Sequence, residues 1–123
     1  KVPLDCKDLA IITARELNSL LAVNILNTND LLDLLERLDA FRKPQRFQNV
    51  LVSVDVLFKQ LFAFNYSSSF DWGMNTLEQA FEICTEVDTL KVAEQAMASG
   101  LTGLQIGLEI KKVRQKSLFL KLI

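Results

Sequence analysis

The sequence predicts an all-α fold, specifically an irregular bundle of about six helices. Apolar residues recur at helical spacing in six stretches, and polar or glycine-containing turns separate them. Half of the 123 residues are apolar, which is sufficient for a core in a domain of this size. The run of β-branched residues within 50–56 is also compatible with a strand. Its apolar stripe persists over four turns, however, and this favours a helix.

The first two helices are separated by a polar turn. We expect the first from about Asp5 to Val23, with Ile12 and Leu20 facing inward. The turn at 27–30 offers several side chains that can cap a second helix, which runs to about Ala40.

The third helix is expected to have Pro44 in its first turn, because a proline there sacrifices no hydrogen bond. It is apolar on two faces, with Val52 and Val56 on the second, and is therefore expected to be central. Residues 65–70 are predicted to form a loop. The fourth helix is predicted to start between Trp72 and Thr76 and to end near residue 85.

The last two helices are joined through glycines. The fifth helix is expected from about residue 90 to 98 and stops at Gly100; the sixth starts near Gly103 or Leu104. Thr102 can cap the sixth helix. Gly107 lies inside that helix and predicts a close approach by a neighbouring helix or a ligand.

Aromatic and cysteine residues each leave two interpretations. Trp72 and Tyr66 are expected in the core or as loop anchors, with stacking on nucleic-acid bases as the alternative. Cys6 and Cys84 lie far apart within helical patterns, so we expect buried, reduced thiols rather than a disulfide or redox pair.

Charge is distributed unevenly although the net charge is only −1. Residues 111–123 contain five Lys or Arg and no acid, whereas residues 76–110 contain one Lys and six acids. The segment 39–46 places three positive charges in five positions at a helix junction, in Arg42, Lys43 and Arg46. Such a segment suits phosphate binding, or it forms a solvated turn with salt bridges to acidic helices.

The glycine-bounded turn and the basic tail leave the same choice. Gly100, Thr102 and Gly103 form either a weak phosphate loop or tight helix packing. Lys111 and Arg114 in the tail either follow an RNA backbone or complement the helix dipole.

No catalytic or metal-binding pattern is present in the sequence. Histidine is absent, which removes the usual general base and the commonest metal ligand. There is no nucleophile paired with a base and no CxxC motif. No apolar run is long enough to span a membrane, and no signal peptide is visible, so we expect a cytoplasmic location and no membrane partner.

The order of these motifs resembles the C-terminal half of the bacterial CCA-adding enzymes, a family of tRNA nucleotidyltransferases. The family carries a D-[AS]-[WF]-R-[KR]-P-[EQ]-R stretch between two helices, which is matched here by residues 39–46. Its later G-[LF]-x-G-x-x-I-G-x-x-[LI]-x-x-x-R stretch is matched from Gly100 to Arg114. Two departures concern the phosphohydrolase (HD) site, whose histidines have no counterpart here, and Thr102, which replaces a frequent lysine.

The resemblance implies a division of labour within a longer polypeptide. Residues 1–40 would end a degenerate HD-like helical part, and residues 41–123 would form tail helices that hold the acceptor and TΨC stems of tRNA. The catalytic nucleotidyltransferase head, which uses Mg²⁺ with ATP and CTP to add CCA to tRNA 3′ ends, would lie upstream of Lys1. This segment itself would have no catalytic residue, metal or cofactor. The implied RNA-binding residues are Arg42, Lys43, Arg46, Gly100, Thr102, Gly103, Lys111 and Arg114.

Two alternatives remain open at this point. One is the C-terminal region of a bacterial poly(A) polymerase, which shares the head chemistry. The other is a helical protein-interaction module without a role in RNA binding, favoured by the near-neutral net charge and the positive mean hydropathy of +0.20. The RNA hypothesis requires the positive side chains from the middle and the end of the chain to share an accessible surface.

Overall fold

The computed structural model describes residues 4–61 and 68–122, and in this part of the chain it contains six α-helices and no strand. The prediction of an all-α bundle is confirmed. A short 3-10 turn, Val23–Ile25, separates the first two helices. The helices are α1 (Leu4–Leu21), α2 (Thr28–Arg37), α3 (Pro44–Leu61), α4 (Ser68–Thr85), α5 (Thr89–Ala98) and α6 (Leu104–Leu122).

The helix ends follow from local side-chain and backbone chemistry. The side chain of Asn27 accepts a hydrogen bond from the Asp30 N–H at 2.8 Å and caps α2. Pro44 is the first residue of α3 and so lies in its first turn, as predicted. Asp88 caps α5 by accepting from the Lys91 N–H at 3.0 Å.

The glycine-bounded turn ends α5 and starts α6. Gly100 has a φ of +87°, and its N–H donates to the Met97 carbonyl while the Leu101 N–H donates to the Ala96 carbonyl. This pair of hydrogen bonds is a Schellman motif, so Gly100 is the predicted residue just beyond the helix end. At the start of α6, the Gln105 side chain accepts from the Thr102 N–H at 3.4 Å, which is one half of a capping box.

The core is a single apolar cluster to which five of the six helices contribute. The most extensive contacts join α4 with α6, α5 with α6 and α1 with α3, and the 3-10 turn packs on α4. α2 supplies the most completely buried leucines, because four of its ten residues face the core. The fully buried members include Leu20, Leu32, Leu34, Leu35, Leu38, Phe47, Val50, Val54, Leu77, Cys84 and Leu118.

The expectation that α3 is central was wrong. Val52 and Val56, which form its second apolar face, are 64% and 49% exposed. The bundle covers only the face that carries Phe47, Val50 and Val54. The sequence pattern could not distinguish a helix wrapped by neighbours from one whose outer apolar face is left open.

Three further expectations need correction. α4 begins at Ser68 rather than near Trp72, so residues 68–70 are helical instead of forming a loop; Tyr66 and residues 65–67 lie outside the described part. Cys6 is exposed, whereas Cys84 is buried as predicted, and both thiols are free. A Cβ added to Gly107 would meet no atom within 4 Å, so no neighbouring helix approaches this glycine closely.

Among the described residues, each helix is either too short or too polar to span a lipid bilayer.

Candidate nucleic-acid interface

The turn between α2 and α3 is organised by Asp39. This residue has a φ of +56°, and it ends α2 in the same way that Gly100 ends α5. The Asp39 N–H donates to the Glu36 carbonyl, and the Ala40 N–H donates to the Leu35 carbonyl. Aspartate is among the few residues other than glycine that visit this left-handed conformation routinely. Asp39 therefore ends α2 in a conformation that glycine usually provides.

The carboxylate of Asp39 also holds Arg42. One of its oxygens accepts hydrogen bonds from both Nε and Nη2 of Arg42. The hydrogen bond to Asp39 and its negative charge raise the pKa of Arg42 above its ordinary value. The Arg42 side chain nevertheless remains 75% exposed. It is thus oriented by Asp39 but accessible from solvent.

Arg46 is more deeply integrated into the fold. Its Nη2 donates to the Leu38 carbonyl at 3.0 Å, across the turn. This bond satisfies a carbonyl at the end of α2, where the helix itself supplies no donor. The Nε of Arg46 is buried and finds no hydrogen-bond partner among the described residues. The main role of Arg46 is therefore to stabilise the turn. Because its Nε is buried and its Nη2 is bonded to Leu38, only part of its guanidinium is accessible to a ligand.

Lys43 is the least constrained cation of this turn. Its side chain is exposed, and it makes no ion pair within the described ranges. It immediately precedes α3, whose first N–H groups have no partner within the helix. Lys43 is therefore available for an anionic ligand.

The basic tail reaches the same turn through α6. The Nζ of Lys111 lies 2.9 Å from Asp33 and 3.3 Å from Glu36, two carboxylates of α2. These hydrogen bonds, first to Asp33 and then to Glu36, raise the pKa of Lys111. The ion pairs hold the middle of α6 against the C-terminal half of α2, with Lys111 about one-third exposed.

Arg114 completes the approach of α6 to the turn. Its guanidinium lies 4.0 Å from the centroid of the Phe41 ring, in a cation–π contact. Phe41 stacks on Phe81 with ring centroids 5.8 Å apart, and Phe81 contacts Phe47 at 4.8 Å. The Nε of Arg114 is buried and without a hydrogen-bond partner in the described part of the chain. Contacts between the rings of Phe41, Phe81 and Phe47 thus fix the position of the ring on which the Arg114 guanidinium packs.

Five of the eight predicted residues therefore gather around one turn. We call them the turn cluster: Arg42, Lys43, Arg46, Lys111 and Arg114. Three carboxylates, Asp33, Glu36 and Asp39, pair with two of them. The cluster keeps an excess of positive charge, but ion pairs restrict Arg42 and Lys111.

The other three predicted residues lie apart from the turn cluster. Gly100, Thr102 and Gly103 precede Lys111 by eight or more positions, which corresponds to roughly 12 Å along the axis of α6. All three are exposed. Gly100 and Gly103, with φ of +87° and +45°, are explained by the geometry of the helix connection.

Sequence reasoning missed the residues that support the turn from α1. Glu16 is almost fully buried and accepts from Arg37 at 2.8 Å and from Arg15 at 3.1 Å. Burial would raise the pKa of Glu16, but the hydrogen bonds from Arg37 and Arg15 outweigh it and lower that pKa. Arg15 also donates to the Arg37 carbonyl at 2.6 Å, at the last residue of α2. The one available signal was a glutamate within the inward-facing register of the first helix.

No group of three or more His, Cys, Asp or Glu side chains in the described residues is placed to hold a metal ion.

Comparison with known proteins identifies the relatives of this chain. It is 33% identical over 114 residues to the Multifunctional CCA protein of Paracidovorax citrulli, and 34% identical over 114 residues to that of Verminephrobacter eiseniae. Each alignment covers 93% of this chain. The chain is homologous to a part of the Multifunctional CCA proteins. This finding confirms the family resemblance drawn from the motifs.

Some Multifunctional CCA proteins have a higher identity to this chain over a shorter stretch. The protein of a Janthinobacterium species is 53% identical over 51 residues, which is 42% of this chain. The chain spans only 27% of the length of the Paracidovorax and Verminephrobacter relatives. No protein-family model matches the chain, and no solved structure matches it.

Proposed function

We propose that this chain is the C-terminal, tRNA-holding part of a CCA-adding tRNA nucleotidyltransferase. The observation that carries the proposal is the meeting of two distant basic segments at one turn, where Arg114 lies over Phe41. Homology to Multifunctional CCA proteins over 93% of the chain supports it. The turn cluster would then contact the sugar-phosphate backbone of tRNA.

The chemistry of the turn cluster suits this partner. Double-stranded RNA presents phosphates and 2′-hydroxyls, and proteins recognise it by shape rather than by sequence. An enzyme that must accept every tRNA benefits from phosphate contacts, which position the RNA without reading bases. Arg42 and Lys43 are the most accessible cations of the cluster and would make the first contacts. The acceptor and TΨC stems of tRNA are the proposed partners.

The chemical step would lie elsewhere in the longer polypeptide. We assign nucleotide transfer to a head that uses Mg²⁺ with ATP and CTP, upstream of Lys1. Residues 1–40 would end an HD-like helical part, and residues 41–123 would form the tail. Such an enzyme would act in the cytoplasm. Gly100, Thr102 and Gly103 would provide a second, weaker contact with RNA at the start of α6.

The binding role is tested by removing the two accessible cations. In the full-length protein, Arg42→Ala with Lys43→Ala should weaken tRNA binding. It should also reduce the slope of log K against log salt by roughly two, because two phosphate contacts are lost. A double variant with Lys59→Ala and Lys91→Ala is the matched control, since it removes two exposed lysines outside the turn cluster. Equal affinity and salt slope in both double variants would contradict the proposal.

Catalysis is tested separately. The full-length protein should add three nucleotides to a tRNA that lacks its CCA end, and the 123-residue chain alone should add none. A long adenylate ladder would instead identify a poly(A) polymerase. Product length on a sequencing gel distinguishes these outcomes.

One observation favours a second candidate function, a protein-interaction module. Ile11 on α1 and Val52 and Val56 on α3 are large apolar side chains left exposed by the bundle. Exposed apolar residues of this kind commonly contact another domain. If the full-length protein fails to retain tRNA at low salt, this function replaces the first one.

A further inference from the structure

A groove at the opposite end of α2 is bordered by two exposed aromatic side chains. Trp72 of α4 and Phe119 of α6 both line it and are 61% and 60% exposed. The groove has a volume of about 470 Å³. Large aromatic rings are usually buried, so two rings exposed at one groove need an explanation.

Apart from the two aromatic rings, the groove is lined by four uncharged polar side chains and three leucines. None of its lining residues is acidic or basic, and four of them are Asn, Thr or Gln. Gln79 is exposed and makes no hydrogen bond within the described part of the chain. A neutral nucleobase is complementary to such a groove. Its faces stack on aromatic rings, and its edges form hydrogen bonds with amides and hydroxyls. A groove for an apolar peptide would have fewer polar side chains.

Phe119, which lines the groove, shares one face of α6 with two lysines. Lys112, Lys116 and Phe119 follow at spacings of four and three residues, so they share one face of the helix. Lys116 is exposed and makes no ion pair among the described residues. Phe119 lies only about 4.5 Å further along the helix axis than Lys116. An RNA strand whose phosphates contact Lys112 and Lys116 would place its next base at the groove.

We propose that this groove holds one unpaired base of the bound RNA, stacked against Trp72 and Phe119. The inference rests on the proposed RNA-binding function and adds a contact that does not depend on charge. It differs from the turn cluster, which would contact paired stems through their phosphates. The groove selects for an unpaired nucleotide, because a base inside a duplex cannot present its face to an aromatic side chain.

Trp72 provides a direct readout, since it is the single tryptophan among these 123 residues. Its emission in the full-length protein is obtained by subtracting the spectrum of a Trp72→Phe variant. Added tRNA should quench this emission, and a fully paired RNA duplex should not. Trp72→Ala should weaken tRNA binding on the order of tenfold, and Trp72→Phe should stay within about threefold of wild type. The salt slope should not change, because no phosphate contact is lost.

A matched control is Leu90→Ala, which truncates another exposed apolar side chain, 69% exposed on α5, and should bind tRNA like wild type. If tRNA binds but Trp72 emission and the affinity of Trp72→Ala are unchanged, the stacking proposal is overturned and the turn-cluster proposal survives. If wild-type protein binds no tRNA, the proposed function itself fails. If acrylamide cannot quench Trp72 before RNA is added, another part of the protein covers the groove, which also overturns the proposal.

Discussion

Arg114 and Phe41, 73 positions apart in the sequence, meet in a cation–π contact with 4.0 Å between the guanidinium carbon and the ring centroid. This contact joins the basic tail in α6 to the turn between α2 and α3. Phe41 in turn stacks on Phe81, so the position of the arginine depends on the aromatic core. The turn cluster is therefore built by packing as much as by charge.

Phe41→Leu should lower the free energy of unfolding by about 1–2 kcal/mol, because it removes both the cation–π contact and the aromatic pair. Urea denaturation followed by circular dichroism measures the loss. Phe119→Leu is the control, and since Phe119 is 60% exposed its effect should stay within about 0.5 kcal/mol. Equal losses in the two variants would show that Phe41 contributes no more than a surface ring.

Asp39→Asn should strengthen tRNA binding a few-fold and steepen its salt dependence by roughly one unit of slope, because Arg42 is released from its carboxylate. Asparagine also tolerates a φ of +56°, so the turn should persist. Filter binding at several salt concentrations provides the measurement. Asp55→Asn is matched to it, since that change frees Lys59 from its 3.0 Å ion pair on α3, outside the turn cluster. A rise in affinity with both variants would indicate a general charge effect.

Two glycine substitutions should have opposite effects on stability. Gly107→Ala should raise the free energy of unfolding by about 1 kcal/mol, because the glycine is helical and a Cβ there meets no atom. Gly100→Ala should lower it by about 1–2 kcal/mol, because a φ of +87° strains any side chain. Thermal or urea unfolding distinguishes the two. A loss of stability in Gly107→Ala would show that steric crowding at this position outweighs the gain in helix propensity.

The contribution of Glu16 to stability should depend on pH. Its pKa is lowered in the folded state, so its stabilising effect is present above the pKa of the unfolded chain, about 4.3, and is lost as pH falls through the folded value. Glu16→Gln should therefore cost about 1–2 kcal/mol near pH 7 and progressively less below about pH 4. Urea unfolding of both proteins from pH 3 to 7 tests this. A difference independent of pH would mean that the ion pairs with Arg15 and Arg37 contribute nothing.

The two thiols should differ sharply in reactivity. Burial raises the pKa of Cys84 to about 11, and this thiol is inaccessible, whereas Cys6 is exposed. At pH 8 a thiol reagent should therefore modify Cys6 quickly and Cys84 only after unfolding. Mass spectrometry with and without urea gives the count at each residue. Rapid labelling of Cys84 in the folded protein would show that α4 opens locally.

Several elements were predictable because their causes are local. Pro44 at the first turn of α3 and Gly100 beyond α5 each depend on backbone constraints of one residue type. The predictions that were wrong concerned which residues are covered by neighbouring helices. Val52 was expected on a covered face of a central helix, Trp72 in the core or as a loop anchor, and Gly107 at a close approach by a helix or a ligand. All three are exposed. An apolar side chain or a glycine shows what a position tolerates but does not show which neighbour, if any, covers it.

At the candidate site, too, the sequence indicated individual residues but not the contacts between them. The clusters of basic residues and the family motifs indicated the residues of the turn cluster, whose role in RNA binding stays a prediction. The contact of Arg114 with Phe41, the neighbour of Arg42, could not be predicted, because it requires α6 to pack on α2 and Lys111 to pair with Asp33 and Glu36. Nor could the sequence show that Asp39 and Leu38 would engage Arg42 and Arg46.

The sequence by itself determined the helical class, most helix ends and the family, because apolar period, caps and motif spacing act over a few residues. Only the tertiary structure decided which cations share a surface, which of them are already paired, and that Trp72 and Phe119 border one groove. The reason is physical: ion pairs and ring contacts between helices depend on how the helices cross, and that geometry results from the whole core rather than from any one segment.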